Sequence, residues 1–124
     1  PAATWTNQGA LSSLDRTQDL TITWTGGNPD TEFAFVVGLS AGTQATSTFF
    51  CAVDVGAGQF TVPAWVLSSL PASDTFTLGG QSVSGGAIAF GTASFTNTGR
   101  FTAPGFDFAV FTYEQAVITL VPFQ

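Results

Sequence analysis

Few residues in this sequence could do chemistry. The one thiol is Cys51, and the carboxylates come closest to pairing at Asp15 with Asp19 and at Asp30 with Glu32. Histidine is absent, and Arg16 and Arg100 are the only cations, so there is no lysine. Without His the usual general base, metal ligand and triad member is missing, and without Lys there is no amine nucleophile or Schiff base. A Ser-His-Asp or Cys-His site is therefore impossible within the chain, and so is an intramolecular Lys–Asn isopeptide cross-link. Cys51 alternates with Phe49 and Val53, the phase of a buried structural thiol rather than a reactive one. The acid pairs sit at strand ends and turns, where Asp commonly bonds its own backbone. Acid–base work of the glycosidase kind stays open but is the weaker reading. Calcium needs several oxygen ligands, and the pattern of an EF-hand loop is absent. The expectation is a chain that is not an enzyme and uses no cofactor and no metal.

Composition narrows the partners. Only 8% of residues are charged, giving a formal net charge of -6, against roughly 25% charged in an average soluble domain. The surface must be covered mostly by Thr, Ser, Gly, Asn and Gln. Nucleic acid is an unfavourable partner because phosphate binding draws on Lys and Arg clusters, and anionic membrane surfaces are disfavoured on the same ground. No apolar run approaches the roughly 18 to 20 residues of a membrane span, so no membrane insertion is expected. A chain without Met that begins at Pro1 reads as a processed product of a longer gene product, or as one that has lost an initiator Met. The hydroxyl-rich, lysine-free surface points to export, to an extracellular or cell-surface location. With one Cys no intrachain disulfide can form.

The elements that must position these residues are strands. Leu20, Ile22 and Trp24 alternate with Thr21, Thr23 and Thr25, a half-buried strand pattern. From Glu32 to Ser40 both faces are apolar, with Phe33, Phe35, Val37 and Leu39 on one side and Ala34, Val36 and Gly38 on the other; such a strand belongs in the middle of a sheet. Further strands are expected over 46–55, 59–62, 74–78, 87–95, 100–102, 106–112 and 115–121, separated by Gly- and Asn-rich breaks that include Gly85-Gly86 and Asn97-Thr98-Gly99. One short helix fits residues 63–70, with Pro63 in its first turn and Pro71 after it. Seven to nine short strands at this spacing predict an all-β, immunoglobulin-like antiparallel β-sandwich, one domain over residues 1–124.

Four stretches carry a resemblance: residues 16–27, the Phe50-Cys51 pair, residues 58–71 and residues 101–107. Together they resemble immunoglobulin-like domains at the C-terminal end of secreted bacterial proteins, notably of acidobacteria. That family is functionally uncharacterised. The resemblance implies fold and location and carries no catalytic residue across.

Thirteen Phe, three Trp and one Tyr are more aromatic surface than a sandwich of this size readily hides. Trp24 fits the buried core position of an early strand. Trp5, in an N-terminal segment of unsettled pairing, and Trp65, on the short helix, are candidate interaction residues together with Phe101 and Phe106. Two functions follow. The first is a structural module whose apolar patches and sheet edges pack against copies of itself or neighbouring domains, in a surface layer or filament, with segments 1–11 and 115–124 available for strand addition. The second is a carbohydrate-binding module that stacks a polysaccharide on Trp65 or Trp5. The first is favoured, because no paired aromatics stand beside a cluster of Asn, Asp or Arg that would read hydroxyl groups.

Overall fold

The computed structural model describes residues 1–124, with side chains at every position but 97. In chain order the strands are β1 (Thr4–Trp5), β2 (Leu20–Thr25), β3 (Glu32–Ala41), β4 (Thr46–Asp54), β5 (Gln59–Val62), β6 (Thr75–Leu78), β7 (Gln81–Ser84), β8 (Gly86–Arg100) and β9 (Val110–Leu120), with one short α-helix, α1 (Ala64–Ser68). They form a three-stranded sheet ordered β1-β2-β5, a four-stranded sheet ordered β4-β3-β8-β9 and a β6-β7 hairpin. Every named pairing is antiparallel. The chain crosses between the two large sheets after β2, after β4 and after β5, the Greek-key order of an immunoglobulin-like sandwich. Among the described residues no helix is long and apolar enough to cross a membrane.

The core lies between the sheets. Ile22, Trp24 and Val62 face Ala34, Val36, Ile88 and Phe90 in one buried cluster. Phe90 is its centre, stacked on Trp24 with ring centroids 5.0 Å apart and tilted against Trp5 at 6.2 Å. A buried indole needs a partner for its N–H. Trp24 Nε1 donates to Val55 O at 2.8 Å, and Trp5 Nε1 donates to Asn7 Oδ1 at 2.8 Å. Asn7 also accepts from Thr23 N and donates to Thr21 O, so its amide bridges to β2 just beyond the end of β1. That tether explains a correction: Trp5 is only 7% exposed, and no interaction platform exists there.

Helix α1 closes one end. Its first turn is capped from a distance, Ala64 N donating to Asp19 Oδ1 at 2.8 Å, while Leu67 and Leu70 enter the core. Pro63 is the cap residue rather than the first helical one. Both terminal segments are tied into the fold. Leu14 N donates to Pro122 O and Gln124 N to Leu14 O, and Leu14, Val121 and Phe123 are buried. Segments 1–11 and 115–124 are thus tied into the fold and are not free arms, although β9 is an edge strand paired on one side only.

Two expected breaks are absent. Asn97-Thr98-Gly99 lies inside β8, where a pairing shift between Ala93 and Thr98 absorbs the turn-like residues. Residues 106–112 and 115–121 are not two strands: β9 runs unbroken from Val110 to Leu120, because no Gly or Pro interrupts it. Three Gly–Phe cross-strand pairs recur in the four-stranded sheet: Phe35 opposite Gly91, Phe49 opposite Gly38 and Phe111 opposite Gly99. At each glycine a Cβ would meet that phenylalanine ring at 2.6 Å or less. The ring occupies the space the glycine leaves open, Phe49 against the core and Phe35 on the outer face of the sheet.

Candidate functional site

The outer face of the four-stranded sheet follows from register. Ala34, Val36, Ile88 and Phe90 point into the core, so the residues alternating with them point out. Across β4-β3-β8-β9 these make four rows: Thr48–Leu39–Ala87–Leu120, Phe50–Val37–Ala89–Ile118, Ala52–Phe35–Gly91–Ala116 and Asp54–Phe33–Ala93–Glu114. The first three rows are uncharged, and Thr48 is their one polar side chain. Strand β8 contributes only Ala and Gly, so it forms the floor of a trough. Its walls are the larger side chains of β3 and β4 on one side and Ile118 and Leu120 on the other. Phe35 stacks on Phe50 at 5.8 Å, while Phe50 is 62% and Ile118 65% exposed.

A second apolar surface is the ribbon that β8 and β9 form beyond Ala93. Phe95, Phe101, Phe106, Phe108, Phe111 and Tyr113 are all exposed on it. The Arg100 guanidinium lies over the Phe108 ring, 4.9 Å from its centroid, a cation–π contact. Arg100, Phe101, Asp107 and Phe108 line an open hollow of about 310 Å³.

The four candidate residues are not brought together. Trp65 is 76% exposed on α1, which packs at the end of the sandwich where β8 begins: Pro71, six positions on, accepts from Ser40 Oγ, and Ser40 pairs with Gly86. Phe101 and Phe106 lie beyond the other end of β8, a strand of 15 residues and so roughly 50 Å of chain. Both are exposed. Sequence reasoning missed Phe50, Ile118 and Leu120. The signal was the doubly apolar pattern of β3, whose outward side has to continue onto its neighbours.

The carboxylates serve the backbone. Asp15 accepts from Thr17 Oγ1 and Thr17 N, and these bonds hold its carboxyl below the usual carboxylate range, the hydroxyl bond contributing most. Asp19 caps α1, and Glu32 accepts from Asn28 N. Among the described residues no three His, Cys, Asp or Glu side chains gather as a metal site. Cys51 is half-buried on the inner side of β4, and desolvation pushes its thiol up.

Comparison with family models, curated proteins and solved structures gives no match.

Proposed function

We propose that this chain is an extracellular structural module that associates with copies of itself, using the outer face of its four-stranded sheet. The observation that carries this reading is the three uncharged rows with a small-residue floor. Four strands about 4.8 Å apart and three rows about 6.6 Å apart make a patch of roughly 19 by 20 Å. Two copies meeting on it bury roughly 760 Å², so the ~1,000 Å² that a specific interface needs also draws on the surface around the patch. A charge-poor chain of net charge -6 opposes such packing weakly. The exposed phenylalanines of the β8–β9 ribbon add apolar surface of the same kind. Export, and an origin in a secreted bacterial protein, rest on the hydroxyl-rich composition and on the resemblance of residues 16–27 and 58–71.

Ala89→Lys tests it. The side chain at 89 points out of the trough floor, so a lysine there leaves the core intact and puts a charge into the contact. Size-exclusion chromatography should show oligomers for the native chain and a monomer for the variant. A native chain that stays monomeric at several hundred micromolar contradicts the proposal. A second reading, a polysaccharide platform at Trp65, is favoured by that residue's exposure alone. Retention on insoluble polysaccharide that is lost in Trp65→Ala would establish it.

A further inference from the structure

We infer that the four-stranded sheet continues from copy to copy, β9 of one chain pairing antiparallel with β4 of the next. This rests on the self-association proposed above and adds to the face contact a second one, made through the two strand edges. Among the described residues nothing pairs with the outer edge of either strand. Natural edges are usually blunted by Pro, Lys, bulges or short length. Strand β9 has 11 residues and β4 has 9, and between them they carry no Pro and no Lys. One charge sits on each, Glu114 and Asp54.

Direction and hydrogen bonding both fit. An even number of antiparallel strands leaves the two edges running in opposite senses, so a second copy presented by translation along the rows supplies an antiparallel partner without a two-fold axis. Val121 N donates to Gly86 O, and antiparallel pairing alternates. Ala116, Ile118 and Leu120 therefore aim their N–H and C=O at the open edge. On the other side Gly42 N donates to Ala45 O, which by the same alternation leaves Thr48, Phe50 and Ala52 unpaired outward. These six residues are also those whose side chains lie on the outer face. Joining them extends each row into the next copy and sets Ile118 and Leu120 beside Phe50, an aromatic–aliphatic cross-strand contact. The fourth row brings Glu114 opposite Asp54, a like-charge pair that opposes the contact and that salt screens. The opposing sheet has three strands and fits within the four-strand repeat. A contact of this kind is heterologous and grows into an open polymer. Its repeat is about 19 Å, and strand twist of 20 to 25° per step turns each copy by roughly 80 to 100°.

The test cross-links the two edges. In a Cys51→Ser background, Thr48→Cys combined with Leu120→Cys is treated with a short bis-maleimide, beside each single substitution. The double variant should give a ladder through trimer and beyond, and the singles should stay monomeric on a denaturing gel. Dimers from Leu120→Cys alone would mean a two-fold β9–β9 contact and overturn the inference. Oligomers on size-exclusion without a ladder would also overturn it while leaving self-association standing, whereas a monomer on size-exclusion removes both. Ile118→Pro supplies a second arm. It removes an outward N–H and breaks no hydrogen bond within the chain, so the ladder of the double variant should vanish at unchanged circular dichroism, and a persisting ladder contradicts the pairing.

Discussion

Phe90→Ala separates the aromatics that build the core from those that cover the surface. Phe90 is 2% exposed and touches both Trp24 and Trp5. Truncating a buried Phe costs about 3–5 kcal/mol through lost transfer energy and the cavity left behind. Two ring contacts that cannot be rebuilt place this site at the upper end, about 4–5 kcal/mol. A chain of this length has roughly 6–15 kcal/mol in total, so the variant should fold with little reserve. Its Tm should fall by roughly 15–20 °C, at about 4 °C per kcal/mol for a domain of this size. Urea unfolding followed by tryptophan fluorescence reads the loss as a lower midpoint at unchanged slope. Phe50→Ala, at an exposed position, should cost less than about 1 kcal/mol in a dilute monomer. A loss below about 2 kcal/mol at Phe90, or an equal loss at the two sites, would refute the partition.

Other perturbations follow from single contacts. Gly38→Ala puts a Cβ 2.1 Å from the Phe49 ring and should cost about 1–3 kcal/mol, while Gly9→Ala, with nothing within 4 Å, should leave the unfolding midpoint within error or slightly raised. Because burial disfavours the Cys51 thiolate, the folded chain should react with Ellman's reagent more slowly at neutral pH than the unfolded chain; equal rates would contradict the inward placement. Thr17→Ala removes the main cause of the low Asp15 pKa, so carboxyl titration followed by NMR should move up toward the ordinary range. A depressed folded pKa stabilises above the unfolded value and is lost as pH falls through the folded one, so any contribution from Asp15 fades only on the acid side. Finally, added salt should strengthen self-association, since the fourth row ends in Asp54 and Glu114 and the chain is anionic throughout.

The fold class was legible because alternation is local. Leu20, Ile22 and Trp24 declare an inward face without reference to the rest of the chain, and Pro63 with Pro71 brackets a helix. Breaks were less legible, because a glycine marks either a turn or a ring's resting place. Gly99 reads as a turn in sequence and is instead the partner of Phe111, a distinction that only register supplies. Trp5 was misplaced for a similar reason: two strand residues carry no pattern, and the Asn7 tether that buries the indole is a side-chain substitute for a strand. The outer face was half legible. The doubly apolar β3 announced it, but Phe50 and Ile118 stand 68 positions apart and share a row only after pairing.

Methyl NMR across a dilution series tests the central claim most directly. Signals of Ala87, Ala89, Val37, Ile118 and Leu120 should shift or broaden together as concentration rises, while those of Val36 and Ile88 on the inner face and the Trp65 indole stay fixed. Spectra independent of concentration, or changes confined to Trp65 and its helix, would contradict the assignment of the outer sheet face as the contact surface.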